Sequence, residues 1–303
     1  MKTTASMKSL ITIGMASLGL ASSVPLAELP MPFRRGCQVS DDGPISDTAV
    51  QSTGLTADRQ DYPGNITVDV NFHIASTEAQ ADLITDEIVD AQWKVLHDSF
   101  AKHNINLRLN STERVVNNLT GSGFFVNEGN GWENHQDEYN AYLKATRKGG
   151  YDVMNLYFYS SYAPGATGRC QFPTVIADPG SLEFYTDSCQ ISAMTMPGLT
   201  VEQGGFEIWN QGHIAVHEAG HWFGLNHTFA GGCSDNPGDF VADTPAQAAE
   251  AYDCPEGLDT CPNLPGLDPV HNFMGYAADD CTNEFTAGQA DRMFSTFFGW
   301  RRK

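Results

Sequence analysis

The sequence has few basic residues, and beyond its first 21 residues it has no long apolar run. Its 303 residues include 17 Lys and Arg against 37 Asp and Glu, which gives a formal net charge of -20 at pH 7. A nucleic-acid-binding protein needs a basic surface, so this balance argues against that function. No later stretch reaches the roughly 20 apolar residues that cross a bilayer. We expect a globular monomer that binds neither nucleic acid nor a membrane.

The N-terminus has the pattern of a secretory signal peptide. Lys2 and Lys8 precede the apolar run "SLITIGMASLGLASS", and small residues follow from Ala21 onward. The alternative is a membrane anchor, but the run is shorter than a span requires. We predict a signal peptide over residues 1–21 and an extracellular location. Residues 22–60 are rich in Pro, Ser, Asp and Gly without periodicity, which indicates a pro-segment or a flexible N-terminal segment.

Secretion determines how the cysteines are interpreted. An oxidising compartment would pair most of the seven, and the odd number leaves one thiol over. Proximity along the chain favours a disulfide between Cys170 and Cys189. Three sequons fit the same compartment and are the expected glycosylation acceptors: Asn65, Asn110 and Asn118.

Hydrophobic periodicity predicts a mixed domain with both strands and helices. "NITVDVNFHIA" alternates apolar and polar residues as a half-buried strand does, and residues 78–103 change to helical spacing. "INLRL", "ERVVN", "DVMNLYFY" and "CQISAMTM" are further strand candidates. "NHQDEYNAYLKATRK" is a second helix candidate, which ends at a Gly-Gly pair.

The stretch "HEAGHWFGLNH" concentrates three histidines and one glutamate. A helix over this stretch places His217 and His221 on one face, because they are four residues apart. Gly224 lets the chain leave the helix, and the turn returns His227 as a third ligand. Three protein ligands leave one position open for water, the arrangement of a catalytic zinc site. Glu218 does not bind the metal and is placed to act as the general base.

This pattern predicts peptide-bond hydrolysis without a covalent intermediate. A zinc ion held in this way would lower the pKa of a bound water and polarise a carbonyl group. Glu218 would accept the proton of the attacking water and deliver it to the departing amine.

The sequence resembles the pappalysin family of metzincin zinc endopeptidases. The resemblance rests on the zinc motif, "RRGC", "GGC", "GDFVADTPAQ", "HNFMGY" and "CTNEFTAGQADRM". It implies that Met274 forms a hydrophobic floor under the zinc ligands and that Tyr276 lies near the metal. A buried tyrosine with an unrelated partner is the alternative for Tyr276. The family also implies protein or peptide substrates.

The resemblance extends to the cysteines and, in part, to calcium. It implies disulfides between Cys233 and Cys261 and between Cys254 and Cys281. Some family members bind calcium after the zinc motif, where this chain offers three carboxylates: Asp235, Asp239 and Asp243. A solvated acidic loop is the alternative, and it is favoured here. The Gln38 that follows Cys37 departs from the glycine usual in the family.

The expected fold is therefore α+β, a metzincin-like catalytic domain of two lobes over residues 61–303. The upper lobe, 61–227, would carry a twisted mixed sheet and end in the active-site helix. The lower lobe, 228–303, would be irregular and cross-linked by disulfides. It would end in a helix whose N-terminus is the capping box "TAGQ".

Two rival functions come from other classes. One is a non-catalytic zinc-binding protein, but a structural site closes its fourth position with Cys or His. The other is a zinc hydrolase that acts on a substrate other than a peptide.

Cys37 remains once the other six cysteines are paired. A thiolate is a strong zinc ligand, so Cys37 could fill the open position and keep a precursor latent. A disulfide to another chain and a simple exposed thiol are the alternatives. Cleavage at Arg34-Arg35 would leave Cys37 on the mature chain, so activation would need a further cut nearer residue 60.

Overall fold

The computed structural model describes residues 62–127, 131–162, 167–175, 178–234 and 238–302. The predicted signal peptide, the pro-segment, Cys37 and Asp235 lie outside the described residues. The strands are β1 Ile66–Ser76, β2 Ile105–Val116, β3 Phe125–Asn127, β4 Trp132–Asn134, β5 Met154–Tyr159, β6 Gly168–Cys170 and β7 Cys189–Ser192. The α-helices are α1 Asp86–Ala101, α2 Asn118–Gly121, α3 Gln136–Thr146, α4 Leu182–Thr186, α5 His213–Trp222 and α6 Ala287–Thr296, with a π-helical turn at Phe297–Arg301.

Five strands form one twisted mixed sheet in the order β2-β1-β5-β7-β6. The first four run parallel, and β6 pairs antiparallel with β7 at one edge. The alternating apolar residues of β1 all enter the main hydrophobic core, which also contains the inner faces of α1 and α5. The opposite face of the sheet packs against α3 through a second cluster that includes Tyr139, Leu143, Tyr157 and Tyr159.

The strand predicted as two short pieces, "INLRL" and "ERVVN", is one continuous strand. The register of β2 against β1 shifts by one residue at Asn110, so this position is a β-bulge. Asn110 and Ser111 both donate side-chain hydrogen bonds to Asn71 Oδ1, at 2.9 and 2.8 Å. These polar residues interrupt the alternation in the sequence, but their hydrogen bonds hold the strand together across the bulge.

The helix predicted from residue 78 begins later, at Asp86. Residues Glu78–Gln80 form a short 3-10 turn instead. Thr85 caps α1 by accepting a hydrogen bond from the backbone N–H of Ile88. A threonine at this position satisfies one of the first backbone donors of the helix, which explains why the helix starts there.

Between α5 and α6 the chain is irregular, and no helix or strand is present in its described residues, 223–234 and 238–286. Disulfides join Cys233 to Cys261 and Cys254 to Cys281, while Cys170–Cys189 ties β6 to β7. The predicted capping box opens α6: Thr286 Oγ1 accepts from Gln289 N, and Gln289 Oε1 accepts from Thr286 N.

Asn65, Asn110 and Asn118 are all exposed, and their glycosylation stays a prediction. Across the described residues, no helix combines the length and apolar character needed to span a bilayer.

Candidate metal centre

The helix that carries the first two histidines is anchored at its N-terminus. Gly212 precedes α5 with φ of 87°, a left-handed conformation that glycine adopts at little cost. The Oδ2 atom of the buried Asp279 accepts from the backbone N–H groups of Gln211, at 2.8 Å, and His213, at 3.4 Å. A carboxylate at this end also interacts favourably with the helix dipole. Asp279 therefore ties α5 to the segment that follows Tyr276.

The three predicted ligands converge through their Nε2 atoms. His221 Nε2 lies 3.0 Å from His217 Nε2 and 3.1 Å from His227 Nε2. His217 Nδ1 is 2.7 Å from the carbonyl oxygen of Phe273, and His221 Nδ1 is 2.8 Å from that of Leu225. A carbonyl oxygen can only accept, so each Nδ1 donates and each neutral ring turns the lone pair of Nε2 toward the common point.

This donor set fits a metal ion. Nitrogen ligands in a tetrahedral zinc site, at 2.0–2.1 Å from the ion, lie roughly 3.3 Å from one another. The observed separations are close to that value. The lone pairs of three imidazoles directed at one point repel each other, and a bound cation turns this repulsion into attraction.

The third ligand is returned by a glycine turn. Gly224 has φ of 90°, and a Cβ there would lie 2.7 Å from Thr296 Cγ2. The Gly224 N–H donates to His221 O at 2.8 Å, and the Gly224 carbonyl accepts from Arg292 Nε at 2.8 Å. The glycine and the arginine of α6 together hold the chain reversal that brings His227 to the site.

The segment around Met274 lies directly beneath the ligands. A Cβ on Gly220 would lie 2.4 Å from Met274 Sδ, so only a glycine in α5 allows this close approach. The carbonyl of Met274 accepts from Thr228 N at 3.2 Å, next to His227. Tyr276 Oη lies 3.4 Å from His227 Nε2. Met274 therefore packs against α5 and Tyr276 lies beside His227, and the roles that the resemblance implies for them stay predictions.

The carboxylate of Glu218 lies against the edge strand of the sheet. Glu218 is fully buried, and a Cβ on Gly168 of β6 would come within 2.5 Å of its Oε1. Gly168 therefore leaves the space that the carboxylate occupies. The edge strand β6 thus packs against α5, the helix that carries His217 and His221.

Sequence reasoning did not identify Gly168, Asp279 or Arg292. Asp279 and Arg292 hydrogen-bond to backbone groups near the site, and Gly168 leaves space for the Glu218 side chain. In each case the partner is far away in sequence. Gly168 is one of 29 glycines, and nothing in its neighbours distinguishes it from a turn residue. The "CTNEFTAGQADRM" stretch did contain Arg292, but its hydrogen bond to Gly224 is visible only in the fold.

The described acidic residues after the zinc motif, Asp239 and Asp243, accept hydrogen bonds from other groups of the chain. Asp243 accepts from Thr286 Oγ1 and Gly288 N at the start of α6. Asp239 Oδ1 accepts from Val241 N, and burial raises the pKa of Asp239 to about 6. Neither belongs to a group of potential metal ligands among the described residues. The calcium expectation stays an untested prediction.

A second group of potential ligands is formed by Cys254, His271 and Cys281. The two sulfurs are joined to each other in a disulfide, so they do not serve as thiolate ligands in this state. The histidines of α5 and the following turn are therefore the candidate metal site.

Three imidazoles that converge beside a buried carboxylate, under the edge of a mixed sheet, are the arrangement of a metallopeptidase. The family model described as "Pregnancy-associated plasma protein-A" matches residues 201–297. An extracellular metalloprotease of Colletotrichum graminicola is 42% identical over 238 residues, which are 78% of each chain. One of Pyricularia oryzae is 38% identical over 291 residues, 93% of this chain and 94% of that one.

Solved structures agree on the fold. Tannerella forsythia mature mirolysin in complex with a cleaved peptide superposes with a TM-score of 0.59 at 24% identity, covering 78% of this chain and 93% of that one. The expected α+β fold of the metzincin type is confirmed. The chain belongs to the pappalysin family of metallopeptidases and is a metalloendopeptidase.

Proposed function

We propose that this chain is a secreted endopeptidase that holds one zinc ion on His217, His221 and His227. Glu218 is the general base that activates water for attack on the peptide bond. The observation that carries this proposal is the convergence of three Nε2 atoms beside the buried Glu218. When bound, zinc would lower the pKa of a coordinated water and polarise the carbonyl group of the substrate.

Several residues of the chain have separate roles in the reaction. Glu218 takes the proton from the attacking water and passes it to the nitrogen of the leaving amine. Tyr276 is placed to donate a hydrogen bond to the oxygen that gains charge as the carbonyl is attacked. Phe273 O and Leu225 O hold the His217 and His221 rings in the tautomer that ligates through Nε2.

Two observations favour catalysis over a purely structural zinc site. A structural site is closed by a fourth Cys or His, whereas the described residues around these histidines include no fourth ligand of that type. Glu218 is buried beside the ligands although a structural site has no use for a carboxylate that does not bind the metal. The extracellular metalloproteases among the relatives favour a peptide over another hydrolysable substrate.

The test is digestion of an unfolded protein such as reduced casein by the purified enzyme. We expect internal cleavage that a chelator abolishes and that a stoichiometric amount of zinc restores. Metal analysis should give one zinc per chain. Zinc binding without cleavage of any protein substrate would contradict the proposal and favour a non-catalytic site.

Secretion is part of the same proposal. It is supported by the N-terminal pattern and by the relatives, which are named extracellular metalloproteases. N-terminal sequencing of the protein from culture medium should show that residues 1–21 have been removed. Retention of the protein inside the producing cell would contradict it.

A further inference from the structure

A second pocket lies on the face of the sheet opposite the metal centre. It is a shallow depression open to solvent, with enclosed space for about one water molecule, and Arg169 of β6 is the cationic residue among its described lining residues. Aromatic and amide side chains form the rest of its wall, among them Phe125, Tyr139, Tyr162 and Gln190. A cation in an aromatic pocket is a typical recognition site for an anionic group.

Arg169 has no carboxylate partner in the described part of the chain. Its guanidinium donates to Tyr139 Oη at 3.1 Å and lies 5.5 Å from the centre of the Tyr139 ring. The other groups that act on its charge are Tyr159 and Tyr162. Burial raises the pKa values of Tyr139 and Tyr159, so these hydroxyls stay neutral near pH 7 and do not compensate the positive charge.

Other arginines of the protein are paired differently. Arg147 and Arg301 both contact the carboxylate of Asp187, at 3.4 and 2.9 Å. Arg108 on β2, at the opposite edge of the sheet, pairs with Asp69 at 2.7 Å. A partly buried charge without a counter-ion is costly, and a pocket that opens beside it lets a ligand supply the counter-ion.

The position of Arg169 connects this pocket to the substrate. Successive side chains of a strand point to opposite faces, so Arg169 points away from the metal centre that Gly168 faces. The sheet ends at β6 on this side, and an extended peptide can pair with such an edge. A peptide paired with β6 passes the Glu218 carboxylate. Its alternate side chains lie on the Arg169 face of the sheet, where the Cβ atoms of directly opposite residues are about 5 Å apart.

We propose that the Arg169 pocket binds an acidic side chain of the peptide substrate. The proposal rests on the proposed function, since it assigns a specificity site to the same endopeptidase. The acidic residue lies at a fixed position near the scissile bond, on the face of the substrate strand that points away from the metal. Its carboxylate accepts charge-assisted hydrogen bonds from the Arg169 guanidinium.

The experiment is a cleavage profile of a peptide library with the zinc-loaded enzyme, in four versions. Wild type should prefer Asp or Glu about tenfold at one position that is not next to the scissile bond, a factor that one charge-assisted hydrogen bond supplies. Arg169→Gln should lose this preference and still cleave peptides that lack an acidic residue. Arg169→Glu should prefer Lys or Arg at that position.

Arg108→Gln is the matched control, since it removes an arginine from the other edge of the same sheet, and its profile should equal that of wild type. Arg169→Lys retains the charge and should retain part of the preference even if Arg169→Gln folds poorly. A wild-type profile without acidic preference, or an acidic preference that survives in Arg169→Gln, would overturn the proposal. Absence of zinc-dependent cleavage in wild type would instead contradict the proposed function.

Discussion

The metal centre is built from two regions that are stabilised in different ways. His217, His221 and Glu218 belong to one helix, packed against a sheet in the main core. His227, Met274 and Tyr276 belong to the irregular region that follows. In the helix, spacing alone sets the relative positions of the ligands. In the irregular region, long-range contacts must hold each residue in place.

The difference shows where each region obtains its rigidity. The C-terminal end of α5 leaves carbonyl groups without helical partners, and Arg301 and Arg292 donate to those of Trp222 and Gly224, both at 2.8 Å. The irregular region instead uses two disulfides together with backbone contacts such as Thr228 N to Met274 O. In this protein, side chains that cap its C-terminal end stabilise α5, whereas cross-links along its length stabilise the irregular region.

The largest effect should come from the helical region. Glu218→Gln removes the proposed base but no ligand, so we expect activity to fall by about 10²–10⁴-fold while zinc remains bound. His221→Ala should release zinc, because two remaining ligands bind weakly. Kinetics and metal analysis of the two variants distinguish base from ligand. Wild-type activity in Glu218→Gln would show that Glu218 is not the base.

The next effect concerns the contact of the helix with the sheet. Gly168→Ala would place a methyl group where the Glu218 carboxylate lies, so we expect kcat to fall roughly 10–100-fold at unchanged zinc content. Gly64→Ala is the matched control, since a Cβ there has no neighbour within 4 Å. Unchanged kcat in Gly168→Ala would mean that the carboxylate position tolerates displacement.

The irregular region should respond in stability. Replacing Cys254 and Cys281 together with Ser removes a cross-link between residues 27 apart, so we expect a loss of about 3 kcal/mol in the free energy of unfolding. Denaturant unfolding of the zinc-loaded protein measures this loss. If kcat also falls in this variant, the disulfide contributes to the position of Tyr276. A decrease in the free energy of unfolding below about 1 kcal/mol would show that packing alone stabilises this region.

The smallest effect concerns pH. Burial raises the pKa of Asp239 from 3.8 to about 6, so the folded protein binds a proton more tightly there than the unfolded chain does. This contribution favours folding below about pH 4 and is lost as pH rises through about 6. Asp239→Asn should therefore raise the unfolding free energy by roughly 2–3 kcal/mol at pH 7 relative to wild type.

Unfolding curves at pH 4 and pH 7 test this prediction, since the gain should be much smaller at the lower pH. A variant less stable than wild type at pH 7 would contradict it. That result would indicate that the charged carboxylate has a favourable partner.

Sequence patterns predicted most of the regular structure but misplaced some of its limits. The alternation in "NITVDVNFHIA" corresponds to β1, and the histidine spacing corresponds to α5, because both patterns reflect burial of one face. The bulge at Asn110 divided β2 into two apparent strands. The capping of α1 by Thr85 placed the helix start eight residues later than expected.

By itself the sequence determined the candidate ligand set, since histidines four residues apart share one helical face and a glycine turn can return the third. It also pointed to Glu218 as the proposed base, because this residue is adjacent to a candidate ligand. Only the tertiary structure decided that Gly168 faces this carboxylate, that Phe273 O orients His217, and that Arg169 lies in a pocket with no carboxylate partner among the described residues. The physical reason is distance along the chain: local spacing fixes neighbours on one helix, whereas contacts between remote segments depend on how the sheet and the irregular region pack.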